Sequence, residues 1–331
     1  MSEKLSVCIP VYNGAETILE TIQSVLNQSF NDFELVIVDN ASIDNTVGLI
    51  SSINDARIKL YQNSENLGCG GNLNACMQKA SGDILVYVCA DDLMDMHALE
   101  KIYGTFQKSK DIGVVLRPYY WFDEDYIKPV RATKQFSEDV MVSIDGSVKL
   151  IRDALDLSGQ LSGIGFRRDF INCSFVSNPF VETASVVLEV LKVSNAIILK
   201  DNIVAVRIGH SGSRIHSVYQ NSPMLAWHNV IVAALKENRY KKLKKYLIED
   251  FIATNYIGLV QIKNFGSFRY LMREIWYLLK FRWKNIFSVN FWFFAAGSII
   301  VPSFLLQRLV SAYKNRINKV LLKNLSIKLN N

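Results

Sequence analysis

Short apolar runs alternate with segments of helical periodicity over the first 116 residues, and this alternation limits the folds open to the chain. Each run is four to six residues long and almost continuously apolar, as is typical of strands buried on both faces of a sheet. The intervening segments Ala15–Leu26 and Asn72–Ala80 place apolar residues at helical spacing. The pattern predicts an α/β fold with a mostly parallel sheet flanked by helices. The predicted strands are Leu5–Pro10, Phe33–Val38, Ile58–Tyr61, Ile84–Cys89 and Gly113–Leu116.

Polar residues follow three of these strands directly. Tyr12 and Asn13 come after the first strand, Asp39 after the second and Asp91 with Asp92 after the fourth. Ligands of open α/β sheets bind beyond the carboxyl ends of the strands. We therefore expect Asp39 and Asp91 to share one cleft, although either residue alone is also an ordinary turn or cap residue.

A glycine-rich segment, Asn66 to Gly71, opens the predicted third helix. It lacks the G-x-G-x-x-G spacing of dinucleotide-binding loops, because Leu73 stands where the third glycine belongs, and it follows the third strand instead of the first. This disfavours an NAD-dependent oxidoreductase, and the lack of a G-x-S-x-G elbow disfavours an α/β-hydrolase. The glycines still allow backbone N–H groups at a helix N-terminus to approach an anion.

Taken in order, these segments resemble the family 2 glycosyltransferases, which have the GT-A fold. The resemblance is strong from Leu5 to about Leu116 and can be followed to about Gly212. It implies an inverting enzyme that uses a nucleotide sugar. The matching motifs are Ser6–Gly14, Gln28, Glu34–Thr46, Asn66–Gly68 with Asn74, Ala80–Asp83 and Ala90–Asp92.

The resemblance also implies roles for individual residues. Asp39 is expected to hydrogen-bond the base and Asn74 to lie near the diphosphate. Asp91 is expected to bind a divalent cation, Mn²⁺ or Mg²⁺, and Asp92 to contact the donor sugar; Cys89 stands where the family's first metal-binding carboxylate belongs. The nucleotide-binding residues implied are Pro10, Tyr12, Asn13, Asp39, Asn66, Gly68 and Asn74.

Two further motifs lie in the less similar half. Thr183 replaces the aspartate expected to act as catalytic base, so the neighbouring Glu182 is the predicted base; the alternative is a glutamate that stabilises a helix N-terminus. In the segment Val206–Ser213, His210 is a predicted metal or diphosphate ligand and Arg207 a predicted phosphate contact. An isolated histidine is otherwise often structural.

The function predicted from the resemblance is inverting transfer of a sugar from a UDP- or dTDP-linked donor to a hydroxyl of a lipid-linked saccharide, in surface polysaccharide biosynthesis. The alternative is a degenerate protein that binds sugar nucleotides without catalysis, because Cys89 and Thr183 replace two carboxylates.

Positive charge is concentrated near the C-terminus. Residues 261–331 carry 12 Lys and Arg and one acid, a net charge of +11, whereas the preceding residues carry −5. Within this region Asn285–Gln307 has no formal charge and basic residues flank it on both sides, which disfavours a single membrane crossing. We expect an interfacial or re-entrant helix on an anionic leaflet. The alternative is a pair of core helices, and nucleic-acid binding is disfavoured because no motif for it is present.

These observations predict a GT-A domain over residues 1–215 and a helical, basic extension over 216–331, with a membrane-associating segment at 268–325. Five cysteines without a C-x-x-C pair indicate a reducing compartment. No secretory signal is visible before the first strand, so we expect a cytoplasmic protein. The expected location is the cytoplasmic face of the inner membrane, with the protein bound peripherally.

Overall fold

The computed structural model describes residues 3–208, 216–306, 308, 322 and 325–330. These residues form two compact units. The first unit takes in the described residues of 1–177, 182–210 and 320–331, and the second those of 178–181 and 211–319. The first unit is therefore discontinuous in sequence.

The main sheet of the first unit has eight strands in the order β3-β2-β1-β4-β10-β6-β11-β9. Strands β3, β2, β1 and β4 are parallel, β10 is inserted antiparallel between β4 and β6, β11 is parallel to β6, and β9 is antiparallel to β11. The α/β fold predicted from the sequence is confirmed. The strands are β1 Leu5–Val11, β2 Phe33–Asp39, β3 Ile58–Gln62, β4 Ile84–Tyr87, β6 Ile112–Leu116, β9 Val140–Val142, β10 Ile164–Arg167 and β11 Asn195–Ile198.

Helices cover both faces of this sheet. Consecutive residues of β2, from Leu35 to Val38, are all buried although their side chains point to opposite faces. Helix α3 packs against β1 and β2, and α4 and α6 pack against β6. The helices are α1 Ile18–Leu26, α2 Thr46–Ser51, α3 Gly68–Lys79, α4 Ala98–Lys108, α5 Val148–Leu157 and α6 Glu182–Leu191.

A second, smaller sheet lies in the same unit, in the order β5-β12-β7-β8. Its strands are β5 Leu93–Met94, β7 Tyr120–Phe122, β8 Arg131–Ala132 and β12 Val204–Arg207. Strand β12 is antiparallel to β5 and parallel to β7. Because β5 begins directly after Asp92, this small sheet fixes the position of the acidic pair predicted from the sequence.

The regular structure described in the second unit is helical. Ser222 caps α7, and the carboxylate of the buried Glu274 accepts hydrogen bonds from the Ser222 hydroxyl and the Arg273 guanidinium. The core of the unit includes Tyr256, Leu271 and Phe291. The helices are α7 Pro223–Ala234, α8 Lys241–Tyr246, α9 Gly258–Phe265, α10 Phe268–Phe281 and α11 Val289–Ile300.

The uncharged stretch from Asn285 is not one continuous helix. A 3₁₀ turn covers Trp283–Phe287, α11 ends at Ile300, and Val301 is extended before Pro302. Within the part of the chain that the structure describes, no helix combines the length and apolarity needed to cross a membrane.

Candidate functional site

The loops after β1 and β2 are joined to each other by hydrogen bonds. The Asn13 N–H donates to the Ser42 hydroxyl (2.8 Å), and the Ile43 N–H donates to the Asn13 side-chain oxygen (2.9 Å). Asn13 and Ala41 adopt left-handed φ values of 51° and 62°, which turn the chain sharply after each strand. These turns hold Tyr12, which is exposed, and Asn13 at the carboxyl edge of the sheet beside Asp39.

Asp39 ends β2, and only 2% of its surface is exposed. Its Oδ2 accepts a hydrogen bond from the Ser42 N–H (3.0 Å). Its Oδ1 is buried and has no hydrogen-bond partner among the described residues. A buried carboxylate oxygen without a donor is costly. Asp39 can therefore accept an N–H group from a ligand.

A network of asparagine side chains fixes the loop that leads into α3. The Asn40 amide donates to the Asn66 side-chain oxygen (2.8 Å), and the Asn63 amide donates to the side-chain oxygens of Asn40 and Asn72 (2.9 and 3.0 Å). Asn66 also accepts the N–H of Gly68, which has a left-handed φ of 72°. Asn66 and Gly68 thus shape the start of α3 at this edge, and Pro10 lies in the penultimate position of β1.

Asn74 has a different environment from the one that the resemblance implies. Its amide donates to the Phe175 carbonyl (3.0 Å) and its oxygen accepts the Phe175 N–H (2.9 Å). Close by, a Cβ at Gly70 would lie 2.6 Å from the Val176 carbonyl oxygen, so only glycine permits this approach. The Asn74 side chain therefore anchors the segment before α6 to α3, and its predicted diphosphate contact stays a prediction.

Cys89, Asp91 and Asp92 form an acidic cluster after β4, with possible ligand atoms within 4.8 Å of one another. Asp92 is 1% exposed. It accepts hydrogen bonds from the Gln160 amide (2.6 Å), the Ser162 hydroxyl (2.5 Å) and the Arg207 N–H (2.9 Å). Burial, and after it the charge of Asp91, raise the pKa of Asp92 to about 7.

These bonds show how Asp92 is used. A buried carboxylate with three donors fastens the end of β4 to Gln160, Ser162 and β12, whereas Asp91 is partly exposed. This geometry indicates that Asp92 positions its neighbours. Asp92 has no exposed oxygen to offer a sugar, and its predicted contact with the donor sugar stays a prediction. Asp91 is the carboxylate of the cluster that a ligand can approach.

The cluster fits one hard divalent cation. The Cys89 sulfur is a soft ligand and suits Mg²⁺ or Mn²⁺ poorly, and burial and the two carboxylates raise the pKa of its thiol. Asp91 alone supplies an accessible hard oxygen. Mg²⁺ and Mn²⁺ accept one protein carboxylate when substrate phosphates and water complete the shell. The donor set is thus suited to a cation shared with a diphosphate.

Arg207 lies at the end of β12 and is hydrogen-bonded to the backbone of Asp91. Its Nε donates to the Asp91 carbonyl (3.1 Å), its guanidinium pairs with Glu20, and it stacks on the Phe122 ring at 4.6 Å. The structure thus places Arg207 behind the acidic cluster. His210 lies outside the described residues, so its predicted role stays a prediction.

Glu182 is the first residue of α6, beside the start of α3. Cys69 is the second residue of α3, and burial, followed by the charge of Glu182, raises the pKa of its thiol. Burial raises the pKa of the Glu182 carboxyl, and the Cys69 hydrogen bond opposes this shift. The structure thus places Glu182 near Cys69 of α3, while Thr183 is buried in the helix.

Arg117 is a supporting residue that the sequence analysis missed. It is fully buried and donates to the carbonyls of Leu157 (3.3 Å) and Gln160 (2.9 Å). Burial lowers its pKa to about 10, and the guanidinium is still charged at neutral pH. By holding the loop at Gln160 it supports Asp92 indirectly. Its signal in the sequence is an arginine directly after the apolar run Gly113–Leu116.

The fold and this polar edge define an α/β protein whose ligand-binding groups are gathered beyond its parallel strands. A family comparison agrees: residues 6–157 match the model of "Glycosyl transferase family 2". These residues are a family 2 glycosyltransferase domain, as the sequence motifs indicated, and the GT-A fold is confirmed.

Among curated proteins, the putative glycosyltransferase EpsE of Bacillus subtilis is 34% identical over 131 residues, which are 39% of this chain and 47% of EpsE. The Escherichia coli protein WfgD, named as a UDP-Glc:α-D-GlcNAc-diphosphoundecaprenol β-1,3-glucosyltransferase, is 35% identical over 96 residues, 29% of this chain and 38% of WfgD. The chain thus spans less than half the length of these relatives.

Solved structures extend the likeness of the fold to nearly the whole chain. S. aureus TarS 1–349 in complex with UDP-GlcNAc has a TM-score of 0.63 and 18% identity, covering 99% of this chain and 97% of that one. The mannosyltransferase PcManGT of Pyrobaculum calidifontis, in complex with GDP-Man and Mn²⁺, has a TM-score of 0.54 and 16% identity, covering 97% and 88%. At these identities the likeness concerns the fold.

Proposed function

We propose that this protein is an inverting glycosyltransferase that moves a sugar from a UDP- or dTDP-linked donor to a hydroxyl of a lipid-linked saccharide, in surface polysaccharide biosynthesis. The main observation is that a family 2 domain brings the unpartnered oxygen of Asp39 and the carboxylate of Asp91 to one edge of its sheet. The bound UDP-GlcNAc of TarS and the lipid-linked acceptor in the name of WfgD support the substrate classes.

The nucleotide end of the donor is assigned to Asp39. Uracil and thymine carry an N3–H group, and the buried Oδ1 of Asp39 accepts such a donor and is thereby satisfied. Tyr12 and Asn13 sit in the adjoining turn and supply an aromatic ring and polar groups beside it. Affinity for UDP and dTDP, compared with CDP, whose base has no hydrogen on N3, tests this assignment.

Asn in place of Asp39 removes the negative charge and is expected to weaken UDP binding by up to about 10- to 150-fold, because a hydrogen bond to a charged group contributes about 1.5–3 kcal/mol. Titration calorimetry with UDP measures the change. Asp83→Asn is the matched control, because Asp83 lies before β4 at the opposite edge of the sheet, where it accepts the Lys4 N–H (2.8 Å). Equal UDP affinity in Asp39→Asn and the parent would exclude a base contact.

The diphosphate end is assigned to Asp91, which would hold Mn²⁺ or Mg²⁺ against the phosphate oxygens. When bound, this cation stabilises the negative charge that develops on the departing diphosphate. Asp92, Arg207 and Ser162 keep Asp91 in position through the hydrogen bonds around them.

Glu182 is assigned to the acceptor. Its carboxylate takes the proton from the acceptor hydroxyl as that oxygen bonds to the anomeric carbon, on the face opposite the diphosphate. The bond between the anomeric carbon and the diphosphate oxygen breaks in the same step, so the configuration inverts. Incubation with UDP- and dTDP-sugars, Mn²⁺ and a GlcNAc-diphosphate-lipid tests the activity; a protein that only binds the donor releases no nucleoside diphosphate.

We also propose that the second unit binds the anionic cytoplasmic leaflet of the inner membrane, where such an acceptor is found. Helix α10 buries Leu271, Ile275 and Leu278 and leaves other apolar side chains exposed. On α11, exposed apolar residues recur at helical spacing. Lys280 lies 4.7 Å from the Trp276 ring, and Arg282 and Lys284 follow it. The exposed apolar residues are Phe268, Met272, Trp276, Trp283, Ile286, Phe287, Val289, Trp292, Phe293, Ile299 and Ile300.

This combination favours a lipid surface. Aromatic rings and long apolar side chains enter the headgroup region, and lysine and arginine pair with anionic lipids. The absence of a formal charge from Asn285 to Gln307 leaves the apolar face uninterrupted. Basic residues on both flanks of this stretch favour binding at the surface of the leaflet over a single crossing.

Ala in place of Phe287 is expected to weaken binding to vesicles of anionic phospholipid by up to about 10- to 150-fold, the equivalent of about 1.5–3 kcal/mol for a buried phenylalanine. Flotation with vesicles measures the bound fraction. Ile43→Ala is the control, because Ile43 is a highly exposed apolar residue of the first unit (87%, against 77% for Phe287). Binding of the parent that is equal on neutral and anionic vesicles would contradict the proposal.

A further inference from the structure

Residues 325–330, here called the C-terminal strap, return to the first unit after the whole of the second unit has intervened in the sequence. The Ile327 N–H donates to the Tyr120 hydroxyl (3.1 Å) and the Lys328 N–H donates to Asp95 Oδ2 (2.7 Å). The Lys328 carbonyl accepts the Met96 N–H (2.7 Å). Asn330 exchanges two hydrogen bonds with Asn27 (2.9 and 2.8 Å).

The strap also inserts an apolar side chain into the small sheet. Ile327 is 2% exposed and packs in a cluster with one residue from β5, two from β7 and one from β12. Leu325 and Leu329 pack against the same cluster from either side. The other buried members of the cluster are Leu93, Tyr120, Phe122 and Ala205.

The small sheet needs such a cover. Its strands are only two to four residues long, so few ladder hydrogen bonds hold them together, and short strands need an apolar face packed against another element. The strap supplies part of that packing. Ile327 packs in the same cluster as Leu93 and Ala205, which are fully buried.

The strands under the strap are the same strands that hold the acidic cluster. Strand β5 begins at Leu93, directly after Asp92, and its neighbour β12 ends at Arg207. The Arg207 N–H and Nε then bond Asp92 and the Asp91 carbonyl (2.9 and 3.1 Å). The strap is therefore connected to the acidic cluster through β5, β12 and the two hydrogen bonds of Arg207.

We propose that the C-terminal strap is a positioning element of the active site, in which Ile327 locks β5 against β12 and so holds Asp91 in place to bind the cation and donor diphosphate. The effect on catalysis rests on the proposed function. The packing of β5 against β12 by Ile327 does not depend on it. Ile327 touches no substrate; it acts through Leu93 and Arg207.

The test compares two variants of the full chain with a matched control. Ile327→Ala removes the side chain from the cluster, and Lys328→Pro removes the N–H that Asp95 accepts. Ile112→Ala is the control, because Ile112 is also 2% exposed but lies at the amino-terminal end of β6 in the main sheet. Ile327→Val, which keeps most of the packing, should restore parent behaviour.

Hydrogen–deuterium exchange is the first readout and needs no catalysis. Amides of residues 93–96 are expected to exchange faster in Ile327→Ala and Lys328→Pro, and at the parent rate in Ile112→Ala, even where the melting temperature falls equally. The half-saturating Mn²⁺ concentration for sugar transfer is the second readout, expected to rise about 10-fold, the lower end for residues that support metal ligands.

Unchanged exchange at residues 93–96 in both strap variants, or the same change in Ile112→Ala, would overturn the proposal. A parent protein that transfers no sugar would instead overturn the proposed function, and the exchange measurement would still decide the role of the strap.

Discussion

Asparagine in place of Asp91 is expected to lower the rate of sugar transfer by on the order of 10²–10³-fold, the usual cost of removing one electrostatic contact to a developing charge. Asparagine keeps the size of the side chain and removes the charge that holds the cation. Because Asp92 is buried and bonded to three donors, it is poorly placed to replace Asp91. Release of the nucleoside diphosphate, followed as Mn²⁺ is increased, measures the effect.

The matched control is again Asp83→Asn at the opposite edge of the sheet, which should transfer sugar at the parent rate. High Mn²⁺ is expected to restore part of the activity of Asp91→Asn, since the substitution weakens cation binding more than it disturbs the fold. Transfer at the parent rate at every Mn²⁺ concentration would show that Asp91 does not hold the cation.

Glutamine in place of Glu182 is expected to lower kcat by about 10²–10⁴-fold, the contribution of a positioned general base. Affinity for UDP should stay unchanged, because Asp39 and Asp91 are untouched. Glu189→Gln is the matched control, because Glu189 lies two turns after Glu182 on the same helix. Its carboxylate pairs with Lys192 (2.8 Å). Transfer at the parent rate in Glu182→Gln would show that Glu182 is not the catalytic base.

The pH dependence gives a second check on Glu182. Its carboxylate accepts a proton only when ionised, so kcat/KM should fall as the pH drops through its pKa. Burial raises that pKa, which places the acid limb of the profile above the pKa of about 4.3 of an ordinary glutamate. The residual activity of Glu182→Gln should lack this limb.

The parallel half of the main sheet could be predicted because its signal is local. Runs such as Leu35–Val38 are apolar at every position, as is typical of strands covered on both faces. The polar residues at their ends, Asp39 and Asp91, could be placed at one edge for the same reason. Parallel neighbours in the sheet end on the same side.

The small sheet could not be predicted. Strands β5 and β8 have two residues each, too few for any periodicity, and the four strands come from distant parts of the chain. The true partners of Asp92, among them Ser162 and Arg207, are therefore invisible in the sequence. Asn74 shows the same limit, because its use as a clamp depends on the backbone of Phe175, 101 positions away.

The strap also has a consequence for how the protein forms during translation. The hydrogen bond from Ile327 to the Tyr120 hydroxyl joins residues 207 positions apart. At about 5–20 residues per second, a ribosome adds Ile327 roughly 10–40 s after Tyr120. Until Ile327 is added, the apolar cluster around Leu93 lacks one of its buried side chains, so the nascent first unit exposes an apolar patch to which a chaperone can bind.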